Sequence, residues 1–253
     1  MSDQYDSKIV DPEELMRQVG QAYNQSVSYQ DSGYVQSIHS PGTPDERHSR
    51  LAFSTLFRRP NLFRFEWQDR FNQTSPPRTS VIWCDGAGAY KKYGARKQAQ
   101  TKNLNSAIAG ATGVSRGTAH TTSVLLMSDV SGHKLTNHHI YEYVAVEFIA
   151  DEQCHRLRSR AHHETDLWIS TSRSVVLKIF EQYIVGDGPD ASTWLKDQAF
   201  KSISGFFRWL KLRHLVALSR EKEPFHVIEQ THYTNVILDG PIPTEAFSLQ
   251  GLR

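Results

Sequence analysis

From Ser28 onward, apolar and polar residues alternate in short segments, each closed by clusters of Gly, Pro, Asn or Asp, and this period of two predicts successive β-strands. Candidate strands cover 28–39, 48–58, 61–69, 79–84 and 89–94, then 139–149, 154–162, 165–170, 174–184 and 225–238. The opening is different. Asp11-Pro12-Glu13-Glu14 offers a capping side chain, a proline at the first helical position and acids in the first turn, and Leu15, Val19, Ala22 and Tyr23 then share one helical face.

Two stretches interrupt the strand rhythm. Residues 102–130 hold a short Ala-rich helical run, a Gly/Ser/Thr loop and the apolar patch Val124-Leu125-Leu126-Met127. Residues 192–222 predict a second helical run, in which Trp194, Phe206, Phe207 and Trp209 are interleaved with seven Lys and Arg opposed only by Asp197 and Glu221. Charges recur there too often for a membrane span. Many antiparallel strands with an early helix and two helical interruptions argue for an α+β fold, a strongly curved antiparallel sheet with helices on its concave side. A single domain over 1–253 is expected, with 102–130 and 192–222 as lid-like helical insertions.

Composition narrows the function. The 253 residues are 38% hydrophobic and 22% charged, enough for a real core. Lys plus Arg number 29 against 27 acids, a net charge of +2, which is too balanced for a surface that tracks phosphates, so no nucleic-acid partner is expected. Cys84 and Cys154 either pair once or sit as small buried hydrophobes. The first fifteen residues lack a basic start followed by an apolar stretch, so no leader or anchor is expected, and the chain, if complete, reads as cytoplasmic.

Alternation places Asn61, Phe63, Phe65 and Trp67 on one strand face and Leu62, Arg64 and Glu66 on the other. One face is therefore aromatic. It either lines a cavity or simply packs a helix.

The order of these pieces carries a resemblance. Phe57-Arg58-Arg59-Pro60-Asn61-Leu62-Phe63-Arg64-Phe65-Glu66-Trp67 is followed by Ile82-Trp83-Cys84-Asp85-Gly86 and Tyr90-Lys91-Lys92-Tyr93, then by Asp166-Leu167-Trp168-Ile169 and Val175-Val176-Leu177-Lys178-Ile179, and the chain ends with Asn235-Val236-Ile237-Leu238-Asp239-Gly240-Pro241-Ile242-Pro243 and Phe247. From about residue 12 to 250 this resembles the outer-membrane lipoprotein carrier superfamily (LolA/LolB-like), specifically its poorly characterised relatives of unknown function. The resemblance implies an unclosed half-barrel whose concave face, plugged by helices, shelters acyl chains, and a periplasmic or otherwise extracytoplasmic location. Residues 192–222 form a longer and more basic helical segment than the carrier has.

The resemblance also implies a latch, because the carrier's Arg before this Pro hydrogen-bonds to the lid, and Arg59 holds that position here. A buried guanidinium has five donors and cannot neutralise, so carbonyls or a carboxylate must answer it. The alternative is an edge-strand Arg in water. Expected wall residues are Phe63, Phe65, Trp67 and Trp83, and expected lid residues are Leu104, Ile108, Leu125 and Leu126. The first reading is thus non-enzymatic binding of a lipid or acylated protein by a monomer without cofactor, with possible peripheral membrane contact through 192–222. The second is a sensing or protein-interaction module on the same fold with a filled cavity.

Other motifs point elsewhere. Gly113-Val114-Ser115-Arg116-Gly117 matches the nucleophile elbow of serine hydrolases, but its flanks are neither a β-rich strand nor a good helix, so a mobile lid loop is the preferred reading over a catalytic Ser115 with His120. His138-His139 and His162-His163-Glu164, with Asp166, are candidate metal ligands, yet neighbours on a strand face opposite ways, so surface histidines and no metal are expected. Gly86-Ala87-Gly88 lacks the third glycine of a dinucleotide site and reads as a hairpin turn.

Overall fold

A computed structural model describes residues 10–69, 76–130, 135–137, 140–160, 164–185 and 225–248. The basic run 192–222 and His138, His139, His162 and His163 lie outside the described residues. The chain divides into two compact units: a larger one of Met1–Gln36, Ser49–Glu181 and Glu229–Arg253, and a smaller one of Ser37–His48 and Gln182–Ile228.

In the larger unit, helix α1 spans Pro12–Gln25, where the Asp11 side chain accepts from the Glu13 backbone N–H and Pro12 supplies the preset φ of a first turn. Leu15, Met16, Val19 and Tyr23 form its buried face. Strands follow as β1 (Ser28–His39), β2 (Arg47–Arg58), β3 (Leu62–Asp69), β4 (Arg78–Asp85), β5 (Ala89–Tyr93) and the short β6 (Ala99–Thr101). Helices α2 (Leu104–Thr112) and α3 (Thr118–Leu126) come next, then β7 (Glu142–Ile149), β8 (Glu152–Ser159), β9 (Glu164–Ser170), β10 (Val176–Val185), β11 (Phe225–Tyr233) and β12 (Ile237–Leu238). The strands lie in the order β6-β5-β4-β3-β2-β1-β11-β10-β9-β8-β7, with β12 on β1. Among the described residues, β6 and β7 form no ladder with each other, so the sheet is an unclosed antiparallel half-barrel with α-helices against it.

The ladders fix which side chains share a face. β3 pairs with β4 so that Phe63 faces Cys84, Phe65 faces Ile82 and Trp67 faces Ser80. These residues except Ser80 join the main core with Ala107, Ile108 and Ala111 of α2, Ala119 and Val124–Leu126 of α3, and Met127 just beyond it. The opposite face carries Arg64 against Trp83 and Glu66 against Val81. A C-terminal strap covers it. Arg58 donates to Ile242 O (2.9 Å), and Arg64 donates to Ser248 O (2.7 Å), bringing Phe247 into a buried position.

The Gly/Ser/Thr loop expected within 102–130 is reduced to a turn at 113–117, between α2 ending at Thr112 and α3 starting at Thr118. α2 and α3 form a helical hairpin, and the apolar patch Val124–Leu126 is the last turn of α3. Asp85 makes the β4–β5 hairpin turn by accepting from the Ala87 and Gly88 N–H groups, both at 2.9 Å, with Gly86 at φ +91° where a side chain would be strained. The smaller unit is held locally: Ser40 N–H donates to His226 O (2.8 Å), Thr43 Oγ1 donates to Ser40 O (2.8 Å), and the His39 and Phe225 rings meet at 6.1 Å.

Candidate functional site

The concave row of rings is continuous. Phe53 meets Phe65 at 6.1 Å, Phe65 meets Trp67 at 5.7 Å, and Trp67 meets Tyr93 edge-on at 5.5 Å. Phe63 and Phe65 are fully buried and Trp67 nearly so. The small side chains of α2 let it lie close: a β-carbon on Gly110 would come within 3.2 Å of the Tyr93 hydroxyl. Ile108, Leu125 and Leu126 are buried over this row and Leu104 is half-buried beside it. Trp83 is a correction. One residue out of step with Ile82 and Cys84, it points to the opposite face and stacks on Tyr90 at 5.3 Å, so it is no part of the wall.

Arg59 ties two helices to the strand end. Its Nε donates to Ser26 O (2.8 Å), just past α1, and its Nη2 donates to Tyr23 O (3.2 Å) in α1 and to Leu126 O (2.9 Å), the last residue of α3. Helix C-termini leave carbonyls without intrahelical partners and carry partial negative charge, so a guanidinium answers both needs there. The Arg59–Pro60 peptide is cis, and the Arg59 N–H donates to Val27 O (2.9 Å). The side chain is half-buried and engaged, unlike an Arg standing free in water.

No protein-family model and no curated protein matches the chain. The chain is similar to LolA-superfamily structures. It matches a LolA superfamily protein from Nitrosomonas europaea over 96% of its own length and 100% of that chain, at 13% identity and a TM-score of 0.34. LprF from Mycobacterium bovis is matched over 92% of this chain and 94% of its own, at 9% identity and 0.40. The MucA/MucB complex of Pseudomonas aeruginosa is matched over 94% of this chain at 11% identity and 0.35, and the chain spans only 61% of that partner.

A polar cluster that the sequence reading missed lies under α3. Asp31 on β1 is 5% exposed, and its Oδ2 accepts from the Tyr29 hydroxyl at 2.8 Å. Burial pushes the carboxyl up to about 6, against the opposing pull of Tyr29, Thr55 and Thr122. The phenols of Tyr23, Tyr29 and Tyr233 around it are likewise pushed up, first of all by burial.

Ser115 is fully buried in the turn between α2 and α3, where its Oγ accepts from Ala119 N–H at 3.2 Å and donates to Thr112 O at 3.5 Å. A nucleophile elbow needs an exposed hydroxyl at a strand-to-helix turn. This is a helix-to-helix turn, and the serine hydroxyl is spent on a backbone N–H in the first turn of α3.

Asp166 is committed to cations of the protein itself. It accepts from Arg158 Nε (2.7 Å) and from Arg156 Nε (2.9 Å), and although burial resists ionisation, these two arginines outweigh it and lower the pKa. The Arg156 guanidinium also lies 5.0 Å from the Trp168 ring, whose N–H donates to Glu147 at 2.7 Å. Among the described residues no group of three or more His, Cys, Asp or Glu is placed to hold a metal, and no helix is long and apolar enough to cross a membrane. Cys84 and Cys154 are free and buried, so the alternative of a single pairing is not realised, and burial pushes the Cys154 thiol up to about 11.

Proposed function

We propose that this chain is a non-enzymatic binding protein in which the α2–α3 hairpin moves away from the aromatic row to shelter an acyl chain, belonging to a lipid or an acylated protein, in an extracytoplasmic compartment. The observation that carries the reading is the hairpin's attachment: its apolar side covers Phe63, Phe65 and Trp67, and the polar tether at its C-terminal end is the Arg59 hydrogen bond to Leu126 O. Burying a chain gives about 0.8 kcal/mol per methylene, so a dozen methylenes supply roughly 10 kcal/mol, which has to replace the apolar contact the hairpin gives up as well as the hydrogen bond to the Arg59 guanidinium, about 1.5–3 kcal/mol.

One observation favours the second reading, a protein-interaction module with a filled interior. Phe63, Phe65 and Leu126 are 0% exposed with the hairpin in place, so in this conformation the row has no free face. Native mass spectrometry of the purified chain followed by lipid extraction separates the two. A co-purifying acyl species, or uptake of a fluorescent fatty acid, supports the carrier reading; a ligand-free protein that takes up none, even as Arg59→Leu, leaves the interaction module.

A further inference from the structure

At the end of the aromatic row a cleft of about 640 Å³ opens between β3, β4, the turn after β5 and the α2–α3 turn, lined by Trp67, Ser80, Tyr93, Val114, Arg78 and Arg96. Its volume lies in the range of small-molecule sites. The floor is apolar and continuous with the buried wall, since Trp67 ends the Phe65–Trp67 contact and begins the Trp67–Tyr93 one. At the rim Val114 is 53% exposed, in the turn between α2 and α3.

The cations are set around that floor. Arg78 opens β4, and Arg96 sits in a turn fixed by its own N–H donating to Tyr93 O at 3.1 Å. Lys91, on the same face as Tyr93, places its Nζ 5.7 Å from that ring's centre. Ser80 Oγ is occupied by the Gly94 N–H at 3.1 Å, so it shapes the turn instead of reaching for a guest. Asp69 is the register partner of Arg78, which makes Arg96 the cleaner probe of the cleft's charge.

We infer that this cleft seats the anionic end of an amphiphile, a carboxylate or phosphate, whose apolar chain continues along the Trp67 row under the α2–α3 hairpin. The inference rests on the acyl-chain reading above and adds the class of head group. Guanidinium forks match carboxylate and phosphate geometry, and a neutral head group gains nothing from them. A chain without the charge therefore binds through the row alone.

The test compares dodecanoate, dodecan-1-ol and inorganic phosphate as competitors of a fluorescent fatty acid, on the full chain and on Arg96→Glu. Arg96 is exposed, so the variant is expected to keep the wild-type thermal midpoint. The expected result is that dodecanoate binds about tenfold tighter than dodecan-1-ol and that the charge reversal abolishes the gap, a tenfold ratio being about 1.4 kcal/mol. Equal binding of acid and alcohol to the wild type would overturn the head-group inference and leave the acyl-chain reading standing. Failure of both chains to bind, in the wild type and in Arg59→Leu, would overturn both. Phosphate competing as well as dodecanoate would overturn it in favour of a site for free anions.

Discussion

The Nη2 of Arg59 donates to the main-chain oxygen of Leu126 at 2.9 Å, joining the end of β2 to the last turn of α3 across 67 positions of sequence. Its neighbour Arg58 serves the other side of the molecule, donating to Ile242 O and Thr244 Oγ1. Arg59→Leu keeps the stem but leaves three carbonyls without their donor. The expected cost is about 2 kcal/mol of stability. Amide exchange should accelerate at 119–127, which a purely surface role for Arg59 would leave unchanged, and a bound fatty acid should exchange faster.

Asp31 makes a pH prediction with a definite sign. Its native carboxyl titrates near 6, above the ordinary value of 3.8, because burial disfavours the anion. The native state therefore holds the proton more tightly than the unfolded chain, and this group's contribution to stability is full below about pH 4 and lost as pH rises through about 6. Asp31→Asn removes the titration while keeping an acceptor for the Tyr29 hydroxyl. We expect the variant to be more stable than wild type at pH 7 by about 3 kcal/mol and the two to converge near pH 4. Urea titrations at both pH values measure the difference directly, cancelling the other titrating groups; a pH-independent gap would refute the assignment.

Ser115→Ala separates a structural hydroxyl from a nucleophile. The hydroxyl accepts from Ala119 N–H in the first turn of α3, so its removal should cost about 1 kcal/mol in a thermal or urea melt. Any hydrolysis of p-nitrophenyl esters by the wild type should persist in the variant; its selective loss with the fold intact would restore the hydrolase reading.

The strands were legible because each alternates and ends on punctuating residues: 28–39 is met by Ser28–His39, and 61–69 by Leu62–Asp69. β6 escaped notice at three residues, too short to show a period. α3 was hidden for a physical reason. Its Thr-rich run is buried nearly all round, at Thr118, Ala119 and every residue from Thr122 to Leu126, so no polar stripe marks it as a helix. Trp83 could not be assigned a face from sequence because a hairpin of unknown length separates it from Trp67, and one residue of slippage inverts the side. Asp31 was invisible as a buried group because what buries it comes from afar: Thr55 lies on β2, Thr122 on α3 and Tyr233 on β11.

Arg64 predicts that the strap can be released without disturbing the concave side. At 4% exposure it donates to Ala246 O (3.2 Å) and Ser248 O (2.7 Å), and it pairs with Glu66 on its own strand. Phe247, between these carbonyls, is buried beneath the Arg58 guanidinium at 5.8 Å. Arg64→Met fills much of the same volume but withdraws both donors and leaves Glu66 without its partner, so a loss of about 3 kcal/mol is expected. Protease cleavage should then appear at 244–248 under native conditions, while amide exchange at 119–127 stays at the wild-type rate. Faster exchange in α3 as well would mean that the strap and the hairpin are energetically one unit, contrary to their placement on opposite faces of β3.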